Sequence, residues 1–163
     1  MKQNIVIVGL NYKYNLMIGK ILADNFNMYF LDALEYVNYS LFSRNDMLEK
    51  CGIEYLNNQE NKAIKSCSEF ENSVICIPCD LFLRNQNFEK FKTTSNIVYL
   101  YFSQERLTNL INDSNDNNIA KVDLLVFEDR NNDLQKICDI MIKISNKKSQ
   151  TIVKEIDRTL RST

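Results

Sequence analysis

Asn4-Ile5-Val6-Ile7-Val8-Gly9 sets apolar, mostly β-branched residues in unbroken succession and stops at a glycine. A strand with one wet face alternates apolar and polar residues. A short continuous apolar run reads instead as a strand covered on both faces, the habit of parallel sheets. Leu10 to Asn15 follows as a loop, and Leu16, Ile18, Ile21, Leu22 and Phe26 then recur at helical spacing. Strand, glycine, loop and helix together form the first half of a crossover unit.

The rest of the chain repeats this alternation. Met28 to Leu31 reads as a second strand, Leu34 to Phe42 as a helix, and Asp46 to Phe70 as further helix interrupted near Gly52. Ser73 to Ile77 is a third strand, ended by Pro78, the only proline. Leu83 to Phe91 reads as a short helix, Ile97 to Phe102 as a fourth strand, and Gln104 to Ile111 as a helix. Asn112 to Asn118 is polar enough to be a loop. By periodicity alone Val122 to Arg130 fits strand or helix. Asp139 to Ile144 alternates as a strand, and Ile152, Val153, Ile156 and Leu160 share one face of a final helix.

Strands alternating with helices predict a parallel sheet covered on both faces, with right-handed crossovers. Ligands of such folds bind beyond the carboxyl ends of the strands. Attention therefore falls on Gly9 to Asn15, Asp32 to Leu34, Pro78 to Asp80, and Phe102 with Ser103.

Composition narrows the function classes. A chain of 163 residues suits one domain, taken here as 1–163. It is 45% hydrophobic and 25% charged, with a formal net charge of −1. No strong field draws nucleic acid or an anionic membrane. The apolar run near the start is too short to span a bilayer, so no membrane partner and a cytoplasmic location are expected. Histidine is absent, which removes Cys-His zinc sites and Ser-His or Cys-His catalysis. No metal site is expected. The five cysteines read as reduced thiols.

The order of motifs resembles shikimate kinase, a P-loop kinase family. Ile18-Gly19-Lys20-Ile21-Leu22-Ala23 resembles that family's first helix, and Met28 to Tyr36 its second strand with the following Asp-x-Asp segment. Asn72 to Leu100 is similar to its third strand through its fourth, and Cys138-Asp139-Ile140-Met141-Ile142 to its final strand. The resemblance implies an α/β/α domain with five parallel strands in the order 2-3-1-4-5. It implies a short lid at about 112–120 and a helix at Val122 to Arg130.

A working P-loop needs glycines for close approach, a lysine for the β- and γ-phosphates, and a Ser or Thr hydroxyl for Mg²⁺. Measured against that pattern, Gly9 stands, Tyr12 and Tyr14 replace later glycines, Asn15 replaces the lysine, and Leu16 the hydroxyl residue. The resemblance further implies Asp32 as the Asp that helps hold Mg²⁺. Leu34 stands where the second Asp would be, and Asn57 where an arginine would meet the substrate carboxylate. Pro78-Cys79-Asp80 replace three glycines. Asn118 matches a lid arginine, and Arg130 a retained one.

The expectation is a pseudoenzyme without catalytic residues or cofactor, which binds a protein partner or small ligand. Its cleft is expected from Gly9, Tyr12, Lys13, Tyr14, Asn15, Asp32, Asn57, Cys79 and Arg130. One alternative is an active kinase using ATP and Mg²⁺ through atypical contacts. Another is thiol redox chemistry at Cys76-Ile77-Pro78-Cys79. Structural roles stand beside each reading: Lys13 as a solvated loop lysine, Asp32 as a helix N-cap, Arg130 as a surface cation, Cys76 as a buried thiol. Tyr12, Tyr14, Tyr29, Tyr36 and Tyr39 form either a partner surface or ordinary packing, and the scattered charges read as solvated surface.

Overall fold

A computed structural model describes residues 2–38, 43–112 and 126–162. Tyr39, most of the expected lid, Asn118 and residues 122–125 lie outside the described residues. The strands are β1 (Asn4–Val8), β2 (Tyr29–Asp32), β3 (Ser73–Cys76), β4 (Ser95–Phe102) and β5 (Ile140–Ile144). They form one parallel sheet in the order β2-β3-β1-β4-β5. The helices are α1 (Tyr12–Phe26), α2 (Ala33–Asn38), α3 (Arg44–Ser68), α4 (Cys79–Leu83), α5 (Gln104–Asn112), α6 (Phe127–Ile137) and α7 (Ser149–Ser162).

β1 and β3 are buried from end to end, as their apolar runs require. The edge strand β5 keeps the alternation seen in its sequence: Ile140, Ile142 and Ile144 face the core while Met141 and Lys143 face solvent. Ile18, Leu22 and Ala23 of α1 and Ile152, Val153 and Ile156 of α7 complete the main core. Gly19 lets α1 lie close on the sheet, since a Cβ there would meet Cys76 Sγ at 2.4 Å. Val37, Met47, Leu56 and Ala63 form a smaller cluster under α2 and α3.

Two sequence expectations need correction. Helix α1 begins at Tyr12, not Leu16, because the Asn11 side chain caps it. The helix expected over Leu83 to Phe91 is instead α4, set off by Pro78, followed by a 3₁₀ turn at Arg84–Lys90. Asn85 and Gln86 take left-handed backbone there (φ 52° and 55°), which α-helix cannot accommodate. The interruption expected near Gly52 is present, as a kink within α3: Gly52 has φ 83°, outside the helical region.

Candidate functional site

The early start of α1 changes what the first bend can offer. Only Gly9, Leu10 and Asn11 separate β1 from the helix. Tyr14 N–H donates to Asn11 Oδ1 at 3.0 Å, and Asn15 N–H donates to the Asn11 carbonyl at 3.0 Å. Amides that an open anion nest would turn toward phosphate are thus spent on capping and on the first helical turn.

The side chains of the bend turn inward. Tyr12 hydroxyl donates to Asp32 Oδ1 at 2.5 Å and lies 3.2 Å from the Cys76 carbonyl oxygen. The same Asp32 oxygen accepts the N–H groups of Leu34 and Glu35, at 2.9 and 3.2 Å. Asp32 therefore caps α2 and holds the phenol at once. Tyr14 packs edge-on against Phe102, with ring centres 5.0 Å apart. Asn15 is fully buried, its Nδ2 donating to the Gly9 carbonyl at 3.1 Å, and its Oδ1 has no partner among the described residues.

Gly9 has a packing reason to be glycine. A Cβ there would sit 2.6 Å from the Leu100 carbonyl oxygen and 3.1 Å from Asn15 Oδ1. Its φ is not among the positive ones, so conformational freedom is not the cause.

Beyond the ends of β1, β2 and β3 lies a cleft of about 400 Å³. Gly9, Tyr12, Cys79 and Arg130, expected from the sequence, line it. Lys13, Tyr14, Asn15, Asp32 and Asn57 do not. Lys13 is exposed on the first turn of α1. A hollow of about 510 Å³ beside the ends of β4 and β5 is larger, but of the strand-end positions singled out from the sequence only Ser103 lines it. The 400 Å³ cleft is therefore the candidate.

Its charged residues were mostly missed. Glu60 of α3 is 1% exposed, so reading the scattered charges as solvated surface fails at this position. Arg44 Nε donates to Glu60 Oε1 at 2.7 Å, and Arg84 Nη1 to Glu60 Oε2 at 2.5 Å. Arg84 Nη1 also donates to Asn57 Oδ1 at 2.7 Å. All three charged residues of this triad line the cleft. Arg130 is ion-paired with Asp80, so it is more than the isolated surface cation its sequence position allowed.

Cys76 and Cys79 are free thiols, both buried. Burial, helped by the Asp32 carboxylate, holds the Cys76 thiol well above its ordinary range. The thiolate that disulfide exchange requires is accordingly disfavoured. Among the described residues no group of three or more Cys, Asp or Glu is placed to hold a metal ion. None of the described helices is long and apolar enough to cross a membrane.

A family model described as shikimate kinase matches residues 17–161. The chain belongs to the shikimate kinase family. The match begins immediately after the bend at Gly9 to Leu16. A curated shikimate kinase of Sulfurihydrogenibium sp. is 26% identical over 94% of this chain and 95% of its own length. Among solved structures, shikimate kinase from Acinetobacter baumannii in complex with shikimate aligns with a TM-score of 0.81. That alignment has 20% identity and covers 99% of this chain and 94% of the other. The Aquifex aeolicus shikimate kinase aligns with a TM-score of 0.78 at 24% identity, over 98% and 96% of the two chains. At these identities the solved structures establish the fold.

This shikimate kinase family member carries its bend in a state that alkaline pH should expose. Burial, then the hydrogen bond to Asp32, raises the Tyr12 phenol far above its ordinary value of 10.0. Burial also lifts Tyr99 from 10.0, and pushes the Cys67 thiol from 9.0 up to about 12. The native state keeps these protons where the unfolded chain has lost them. Stability is thus full below about pH 9 and declines as pH rises, first through the thiols and then, above about pH 10, through the phenols. Urea unfolding across that range should show the decline. Tyr12→Phe should lower stability near neutrality by about 1.5 kcal/mol and flatten the part of the decline above about pH 10. An unchanged alkaline slope would contradict a buried Tyr12 proton held by Asp32.

Proposed function

We propose that this family member does not carry out phosphoryl transfer and acts by binding a small ligand or a protein partner at the cleft beyond β1, β2 and β3. The observation that carries the reading is the start of α1 at Tyr12, with the Tyr12 hydroxyl fastened to Asp32. Family kinases need a bend that cradles phosphates and a Lys and a hydroxyl beside it. Here the Tyr14 and Asn15 amides are committed to Asn11, the Asn15 side chain is buried against Gly9, and Leu16 cannot ligate a metal. These residues do not fit a triphosphate with Mg²⁺.

The size of the effect supports the same reading. Loss of a single preorganised donor costs about 10²–10³ in rate, and losses at one site do not simply add. Several such groups are missing here and the space is filled as well. A second reading, an ATP- and Mg²⁺-dependent kinase with atypical phosphate contacts, is favoured by the near full-length likeness to a curated shikimate kinase.

Calorimetric titration with ATP and Mg²⁺ separates the two. The proposal expects no saturable heat up to millimolar nucleotide, and no phosphorylation of shikimate in a coupled assay. Micromolar binding accompanied by turnover would establish the second reading instead.

A further inference from the structure

We infer that a separate hollow, between α3 and the 3₁₀ turn at Arg84–Lys90, binds a compact hydrophilic solute carrying two phosphate groups. Its volume is about 420 Å³, and it shares no residue with the cleft described above. Asn58, Asn61, Lys62 and Lys65 come from α3, at the spacing of one helical face. Asn85, Asn87 and Lys90 come from the turn. Each of the three lysines is exposed, so reading scattered charges as solvated surface would dismiss them. Their surroundings argue otherwise. No carboxylate lines the hollow. None of the three ammoniums makes an ion pair among the described residues. Three positive charges thus gather at one place in a chain whose net charge is −1.

The fold holds this hollow in shape. Asn85 and Gln86 take left-handed backbone in succession (φ 52° and 55°), which costs energy in residues other than glycine. Asn87 follows them and is fully buried. Its Nδ2 donates to the Leu81 carbonyl at 2.8 Å and to Asn61 Oδ1 at 3.2 Å. Its Oδ1 accepts from Lys90 Nζ at 2.7 Å. One buried amide therefore ties the turn to α3 and fixes the head of Lys90. That ammonium keeps two further N–H donors. Asn61 Nδ2 and the side chains of Asn58, Lys62, Lys65 and Asn85 have no partner among the described residues. Donors left without a protein acceptor suit an oxygen-rich anion, whose charge strengthens each hydrogen bond.

The donor types select the class of solute. Every lining residue is Lys or Asn. Lysine meets phosphate as a compact point charge, whereas planar carboxylates are matched best by guanidiniums, and none lines this hollow. A phosphate monoester carries about −1.5 to −2 charges near neutral pH, so two of them balance three ammoniums where one does not. The charges are divided between two walls, Lys62 and Lys65 on α3 and Lys90 on the turn. That division suits phosphates at separate ends of one molecule. No apolar or aromatic side chain lines the hollow, so a nucleobase would find nothing to stack on. The amide oxygens of Asn58 and Asn85 can accept from hydroxyls instead. A sugar bisphosphate has this chemistry. ATP with Mg²⁺ does not, because the metal takes up phosphate oxygens and the base is left unsupported.

The test is calorimetry on the full chain at low ionic strength without Mg²⁺. The probes are fructose bearing a phosphate at each end, fructose bearing one phosphate, and fructose itself. The bisphosphate should bind saturably, the monophosphate at least about tenfold more weakly, and fructose without measurable heat. Lys62→Gln combined with Lys65→Gln should weaken the bisphosphate by at least about tenfold. Both positions are exposed, so the urea midpoint should stay where it is. Lys148→Gln combined with Lys154→Gln removes the same charge at the start of α7, away from the hollow, and should change the affinity by no more than about twofold. Equal binding of bisphosphate and monophosphate, equal losses in the two double variants, or no heat at millimolar bisphosphate would each overturn the inference. So would heat from ATP with Mg²⁺ that the Lys62 and Lys65 variant abolishes, since the hollow would then accept any phosphate.

Discussion

Arg44→Met combined with Arg84→Met should lower the unfolding free energy by about 3–5 kcal/mol, the cost of leaving a buried charge without its partner. Glu60 is 1% exposed and has a guanidinium on each oxygen. With both removed, its carboxylate must stay in the core unpaired, take up a proton, or drag α3 open. A loss of this size corresponds to roughly 10 °C in melting temperature for a domain of this length. Adding Glu60→Leu should return most of it, because replacing a whole buried ion group by apolar residues is often neutral. Urea midpoints of the three proteins, taken with their slopes, measure this. A double variant as stable as the parent would mean that Glu60 reaches water and that the triad braces nothing. The triad joins the start of α3, its second half beyond the Gly52 kink, and the 3₁₀ turn after α4. Much of the cleft's shape should therefore depend on it.

Gly9→Ala should lower stability by about 3 kcal/mol, the upper end for overpacking in a tight core. The new Cβ would stand 2.6 Å from a carbonyl oxygen of β4, and a strand backbone cannot swing aside as a flexible side chain can. The methyl would also press on Asn15, which is buried and holds the Gly9 carbonyl. The same glycine occurs where a phosphate-binding bend is expected, so two explanations compete for it. Thermal unfolding decides between them. A large loss of stability in the absence of any nucleotide assigns Gly9 to packing, while a stable variant would reopen the phosphate explanation.

Much of the fold was legible because its cues are local. Val6, Ile7 and Val8, or Val74 and Ile75, can be covered on both faces only inside a parallel sheet, and the strand order follows the family resemblance. The departures at Tyr12, Tyr14, Asn15 and Leu16 were equally legible, since each is a change of residue type at one place. What they do to the backbone was not. Asn11 is an N-cap residue by type, yet the helix start was read from the apolar spacing that opens at Leu16, which hid the cap.

Glu60 was harder still. It sits in Asn57-Asn58-Gln59-Glu60-Asn61-Lys62, which looks solvated, and its partners are 16 and 24 residues away. No helical or strand spacing connects such positions. Only the kink at Gly52 and the turn after α4 bring them together. Arg84 was further obscured by reading Leu83 to Phe91 as a helix, which would have aimed its side chain differently.

The account rests on the claim that the bend after β1 cannot receive a triphosphate. Crystals of the protein soaked with a non-hydrolysable ATP analogue and Mg²⁺ test it most directly. The expected density shows α1 beginning at Tyr12, the phenol on Asp32, and no ordered phosphate along Gly9 to Leu16. A triphosphate ordered there, with Tyr12 withdrawn and the first turn of α1 unwound, would contradict it.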